Sequence, residues 1–231
     1  MYHYITDKAF LKCLRGTCSD IVNQLVQQIN RDSVMKVEAH LIGSGDRNLI
    51  TQNESAPIDL DYNLHIIDTV YRNCRDIKEY VRKQFNGVLK ANGWGDCQDS
   101  TSALTTGKRR LAHGIKTEFS IDLAITCYFN NCYQRLIHRK TGISDLAEYY
   151  WNQVPNSRQL EDKVKYLKEN SLWFALRDTY LSKKNMYLSR NDNHHPSFVV
   201  YVEAVNEIYE KNHVQAMLSL SRYSPPICIK L

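Results

Sequence analysis

The sequence has no apolar run approaching the roughly 20 residues needed to span a bilayer, and its N-terminus, "MYHYITDKAFLKCLRGTC", carries charges where a secretory leader needs an apolar core. A cytoplasmic protein with no membrane partner is therefore expected. It lacks any CxxC pair: seven cysteines, Cys13, Cys18, Cys74, Cys97, Cys127, Cys132 and Cys228, are an odd number without zinc-ribbon spacing. That argues against a disulfide framework and a zinc ribbon, and predicts reduced, mostly core thiols. A strong charge imbalance is missing too. Net charge is only +5, which by itself points to no polyanionic partner. There is no internal repeat and no low-complexity linker. With 43% hydrophobic and 24% charged residues over 231 positions, one large or two small globular domains are expected.

What is present is a set of acidic residues where strands should be buried. In "LIGSGDRNLITQNESAPIDLDYNLHI", residues 41–66, a Gly-Ser-Gly turn follows one apolar run, and Asp59 and Asp61 interrupt the next. Strand geometry puts Asp59, Asp61 and Asn63 on one face and Ile58, Leu60 and Tyr62 on the other. Neighbouring carboxylates repel, so a cation should lie between them, and a hard divalent ion such as Mg²⁺ or Mn²⁺ is the simplest candidate. The plainer alternative has Asp59 facing water and Asp61 paired with an arginine. "TEFSIDLAITCYF" is a further strand, with Glu118, Ser120, Asp122 and Ala124 on one face. Either Glu118 or Asp122 could be a third carboxylate or pair with Arg109 or Arg110.

The remaining pattern predicts a helix over "SDIVNQLVQQIN" capped by Ser19, a strand over "VMKVEAHLIG", and a helix from residue 68 to Gly93 with Val70, Cys74, Ile77, Val81, Phe85 and Val88 on one stripe. A short strand is expected at "STSALTTG". After "NQVPNS" the pattern becomes helical: Ser157 caps "RQLEDKVKYLKEN", "LWFALRDTYLSKK" follows, and a third helix opens near Pro196. Basic clusters stand at 107–116 and 135–140. Lys183 and Lys184 would neutralise a triphosphate or simply end a helix in solvent. Ser197, at a helix start, has reason to face phosphate, because free N–H groups and the helix dipole favour an anion there; it is equally placed as an ordinary first-turn serine. His194 and His195 are adjacent and rarely would point the same way, which suggests a loop or base-stacking role.

Gly43-Ser44, Asp59-x-Asp61 and Asp122 together resemble the nucleotidyltransferase superfamily typified by DNA polymerase beta. Its signature is a Gly-Ser turn, an Asp-x-Asp strand and a distal Asp on another strand. "SAPIDLD" looks like the corresponding stretch of cyclic GMP-AMP synthase and its relatives, in the branch that also holds the oligoadenylate synthases. "LSKK" and "HPSF" look like that branch's phosphate-contacting elements. No cysteine spacing matches the zinc-binding insertion of the animal enzyme.

The resemblance implies an α+β fold: a mixed-sheet catalytic lobe with flanking helices over residues 1–150, and a helical nucleotide-binding lobe over 151–231. It implies a metal-dependent enzyme that binds a nucleoside triphosphate between the lobes and transfers the nucleotide to an acceptor hydroxyl, releasing pyrophosphate. Asp59, Asp61 and Asp122 would ligate Mg²⁺ or Mn²⁺, with Asp122 also drawing the acceptor's proton. Gly43, Ser44, Lys183, Lys184 and Ser197 would hold the nucleotide. A nucleotide, as in second-messenger synthesis, or RNA are the candidate acceptors. A small toxin-like transferase acting on tRNA and a catalytically silent nucleotide- or nucleic-acid-binding module are the alternatives.

Overall fold

A computed structural model of the chain describes residues 1–112, 115–140, 147–154, 158–192 and 195–221. The expected Ser157 cap, His194 and Cys228 lie outside them. The chain divides into an α/β unit, Tyr2–Asn156, and a helical unit, Ser157–Leu231. The α/β unit thus runs past the expected boundary at residue 150, because a last sheet strand occupies Glu148–Gln153.

The α/β unit runs β1 (Tyr2–Tyr4), α1 (Lys8–Arg31), β2 (Met35–Leu41), α2 (Gly43–Asp46), β3 (Thr51–Asn53), β4 (Ile58–Thr69), α3 (Cys74–Ala91), β5 (Gln98–Asp99), β6 (Leu104–Thr105), β7 (Phe119–Phe129), β8 (Cys132–Arg139) and β9 (Glu148–Gln153). Seven strands form one mixed sheet in the order β2-β4-β7-β6-β5, with β8 joining β7 and β9 joining β8. β4 and β7 are parallel neighbours. Beyond them β7 forks, pairing with β6 near Leu123 and with β8 from Thr126 onward.

The strand alternation expected from the sequence holds in β4. Ile58, Leu60, Tyr62 and Leu64 are buried on one face, with Phe119, Ile121, Leu123 and Ile125 beside them in β7. This face packs into one core with Leu14, Cys18, Ile21, Val22, Leu25 and Ile29 of α1 and Ile77, Val81, Phe85 and Leu89 of α3. Each fully buried aliphatic side chain contributes about 1.5–3 kcal/mol, so Leu60 anchors the strand that carries Asp59 and Asp61.

Several expectations change. α1 starts at Lys8, where Asp7 accepts from the Phe10 amide at 2.9 Å, and Ser19 is interior, its hydroxyl 3.0 Å from that of Tyr62. Leu14 and Cys18 extend the buried stripe backward past Gly16 and Thr17, and burial overrides their weak propensity. α3 starts only at Cys74, capped by Asn73, because β4 continues to Thr69; Val70 is exposed. The strand expected over 100–107 is only the two-residue β6, which forms a hairpin with β5 just before that stretch. β8, read only as a basic cluster, is a strand whose inward positions include His138, and that polar residue interrupts the apolar alternation. Of the six described cysteines all are free, but only Cys18 and Cys97 are buried.

The helical unit comprises α4 (Arg158–Glu169), α5 (Trp173–Ser189) and α6 (Ser197–Ser221), packed about Leu167, Leu176, Tyr180, Val200, Ala204 and Val205. Among the described residues no helix is long and apolar enough to cross a membrane.

Candidate active site

The sheet face opposite the core carries the acidic residues. Register places Asp61 beside Asp122, Asp59 beside Ser120, and Thr105 of β6 on the far side of Asp122. Three adjacent strands therefore present Asp61, Asp122 and Thr105 in one row, with Asp59 and Ser120 one step back along β4 and β7. Glu118 precedes β7 and pairs with Arg110 at 3.0 Å, which leaves Asp122 as the carboxylate facing Asp61. Arg109 lies over the Trp94 ring instead.

Two of the three carboxylates are held by hydroxyl donors. Ser120 Oγ donates to Asp59 Oδ1, and Thr105 Oγ1 donates to Asp122 Oδ1 at 2.6 Å. Asp61, half-buried between them, makes no ion pair among the described residues. Burial first, then the nearby Asp122 and Asp59 charges, push its pKa up to about 6, with Arg135 acting against them. Burial also raises Asp122, partly offset by the Thr105 bond.

β2 ends by leading the chain into α2 alongside Asp61, whose carbonyl accepts from the Ile42 amide at 2.9 Å. Gly43 adopts φ +66°, and a Cβ there would lie 2.7 Å from Asp61 Oδ2. Only glycine permits both that backbone and that approach, and it brings the Gly43-Ser44 backbone against the carboxylate. Arg15 fixes the turn from α1, donating to the Gly45 carbonyl at 3.1 Å and to Asn48 Oδ1 at 2.8 Å.

Farther along the same face His65 Nδ1 lies 3.3 Å from Thr126 Oγ1, and Arg135 sits opposite Thr126. Among the described residues, Asn63 Oδ1 and Arg135 Nε are buried polar atoms without a hydrogen-bond partner. The 135–140 cluster is thus no single basic patch: Arg135 shares the acidic face, while His138 points inward to Asp99 at 2.8 Å.

In the helical unit the two lysines diverge. Lys184 Nζ lies 3.2 Å from Ser197 Oγ at the start of α6, and burial lowers its pKa to about 8. Lys183 turns away and pairs with Glu207 at 2.8 Å. His195 stacks on Tyr187, with centroids 3.8 Å apart, and its Nδ1 lies 3.1 Å from Asp192 Oδ2.

The donor set suits Mg²⁺ or Mn²⁺. It consists of hard oxygens, it includes a half-buried carboxylate with no ion pair among the described residues, and Mg²⁺ is typically held by one or two carboxylates with phosphates and water completing the shell. Among the described residues no group of three or more His, Cys, Asp or Glu is arranged to hold a metal ion without further ligands.

The structure brings Asp59, Asp61 and Asp122 together beside the Gly43-Ser44 turn, and Ser120, which the sequence places on the Asp122 face without a role, joins them. Thr105 carries no signal in the sequence and Arg135 stands there only within the 135–140 basic cluster, because neither the β6–β7 nor the β7–β8 register shows in a linear pattern.

No family model matches the sequence, and no curated protein matches it. Among solved structures, the chain is similar to Escherichia coli MS115-1 CdnC in its CdnC:HORMA-deltaN complex (TM-score 0.56, 13% identity, covering 87% of this chain and 60% of that one). It is also similar to Vibrio cholerae DncV cyclic AMP-GMP synthase in complex with the linear intermediate 5′ pppA(3′,5′)pG (TM-score 0.55, 9% identity, covering 89% and 68%). A third match is Escherichia coli DncV in its 3′-deoxy GTP bound form (TM-score 0.52, 14% identity, covering 84% and 52%). The chain spans about 60% of the length of CdnC. At these identities the likeness is one of fold: this chain has the mixed α+β nucleotidyltransferase fold of these bacterial enzymes.

Proposed function

We propose that this chain is a nucleotidyltransferase that moves a nucleoside monophosphate from a nucleoside triphosphate to an acceptor hydroxyl. The acceptor oxygen bonds to the α-phosphorus, the bond from that phosphorus to the bridging oxygen breaks, and pyrophosphate leaves. The observation that carries this reading is the pairing of Asp61 with Asp122 across parallel strands, with the Gly43 backbone against Asp61.

Asp59, Asp61 and Asp122 are the proposed ligands for Mg²⁺ or Mn²⁺. When bound, such ions supply charge neutralisation at the phosphates and lower the proton affinity of the attacking hydroxyl. Asp122 is the proposed acceptor of that proton. The Gly43 and Ser44 backbone, together with the Ser44 hydroxyl, is suited to phosphate oxygens. In the helical unit, Lys184 and Ser197 are the proposed phosphate contacts; Lys183, tied to Glu207, is not. A nucleotide acceptor is favoured by the fold shared with DncV, whose complex holds a linear dinucleotide intermediate.

Purified protein incubated with each of the four labelled nucleoside triphosphates, with Mg²⁺ or Mn²⁺ and with or without cellular RNA, tests this against an Asp59→Ala/Asp61→Ala control. A labelled product absent from the control is expected, and its size separates a small nucleotide product from modified RNA. Full transfer by a folded Asp61→Ala variant would sink the mechanism.

A further inference from the structure

We propose that Thr105 is a positioning residue for Asp122, and that the β5–β6 hairpin serves as its mount. This rests on reading Asp122 as a metal ligand. An ionised Asp122 can only accept hydrogen bonds, so Thr105 must donate at the 2.6 Å contact. Its one proton is then committed. The 3.2 Å contact between Ser100 Oγ and Thr105 Oγ1 must therefore run from Ser100 to Thr105. The directions are fixed by chemistry: Ser100 donates to Thr105, and Thr105 to Asp122. Bonds aligned in this way polarise one another. The contact occupies Oδ1 of Asp122 and leaves its second oxygen for a ligand.

A carboxylate facing another carboxylate would otherwise rotate away, and two-residue strands are too short to hold a partner still by themselves. The hairpin is instead tied from beneath. Lys78, 1% exposed, donates to the Ser100 carbonyl at 2.8 Å and pairs with Asp99 Oδ1 at 2.6 Å. His138 Nδ1 meets the other Asp99 oxygen at 2.8 Å, and Lys140 donates to the Asp99 carbonyl. On the far side Thr106 exchanges backbone and hydroxyl bonds with Ile121, each 2.9 Å. A buried ion pair adds little stability over an apolar substitute, so its use here is to fix a geometry. What it fixes ends at Asp122.

The test is Mn²⁺ binding by the full chain, followed by electron paramagnetic resonance in the presence of a nonhydrolysable nucleoside triphosphate analogue, with folding checked by thermal unfolding. Thr105→Val keeps the shape and removes the donor, and should weaken Mn²⁺ binding about 10–100-fold, the usual cost of losing an outer partner of a ligand. Thr105→Ser should restore binding to within a few-fold of the native protein. Ser100→Ala, which leaves the Thr105 bond in place but unsupported, should show a smaller loss, and it carries the test if Thr105→Val does not fold. Native Mn²⁺ affinity in folded Thr105→Val, or equal losses in the Val and Ser variants, would overturn the proposal. Asp61→Ala distinguishes the two levels: if it too binds Mn²⁺ normally, the metal-site reading itself has failed, whereas if it loses Mn²⁺ while Thr105→Val does not, only the role of Thr105 has.

Discussion

Asp61 binds its proton more tightly in the folded chain than in the unfolded one, with a pKa near 6 against an ordinary 3.8. Between about pH 4 and 6 the folded state therefore holds a proton that the unfolded state has released, so this residue's contribution to stability improves as pH falls through that window. At pH 7.5 Asp61 is ionised in both states and its destabilising effect is fully present. Asp61→Asn should then raise the stability of the metal-free protein by about 1–3 kcal/mol at pH 7.5, with the gain vanishing near pH 4, while abolishing transfer. Urea unfolding at pH 7.5, 6 and 4.5 checks it, and an unchanged or lowered midpoint at pH 7.5 would contradict the assignment. Mn²⁺ should stabilise the native protein at pH 7.5 but not this variant, because only an ionised Asp61 gives a bound ion a ligand to favour the folded state. Gly43 makes the companion case. Gly43→Ala imposes a Cβ at φ +66° and 2.7 Å from Asp61 Oδ2, so a loss of about 1–3 kcal/mol in unfolding free energy and loss of Mn²⁺ binding are expected together. A stable variant with intact Mn²⁺ binding would show that the turn does not touch the site.

Among the elements, Lys183 and Lys184 lie side by side within α5, which continues past the helix end expected from the sequence, and face different neighbours. Lys183→Met should remove only a partly exposed pair with Glu207, costing under about 1 kcal/mol and leaving triphosphate affinity nearly native. Lys184→Met should weaken triphosphate binding about tenfold or more, by loss of a charge-assisted contact. Calorimetric titration of both variants checks the contrast, and equal losses would refute the division of roles. Adjacent residues on a helix point about 100° apart, so a Lys-Lys pair in sequence could not say which lysine reached Ser197. The same limit explains what was legible elsewhere. Alternation in "PIDLDYNLHII" and "FSIDLAI" showed which residues of β4 and β7 share a face, because side-chain period is a local property. That Asp61 stands beside Asp122, or Thr105 beyond it, depends on register between segments far apart in the chain, which no local pattern encodes. β8 has no strand signature in the sequence because a buried polar residue, His138, hydrogen-bonded to Asp99, stands where an apolar residue marks most strands.

At the scale of the whole chain, the contiguous core among the described residues consists of residues of the α/β unit. It runs from Leu14 of α1 to Leu136 of β8, with Tyr149 and Trp151 of β9 at its margin. No described residue of the helical unit belongs to it, and the α/β unit has an apolar interior of the size that independent domains need. The shortened chain 1–156 is therefore expected to fold, with a single cooperative urea transition seen alike by backbone circular dichroism and tryptophan fluorescence. It keeps Asp59, Asp61, Asp122 and the Gly43 turn, so Mn²⁺ binding alone should stay within a few-fold of that of the full chain. It lacks Lys184 and Ser197, so triphosphate affinity should fall about tenfold or more. A folded 1–156 with full triphosphate affinity would remove the helical unit from nucleotide binding and place all of it on the sheet and the Gly-Ser turn. A 1–156 chain that fails to fold would show that the apolar interior of the sheet unit is insufficient without α4–α6.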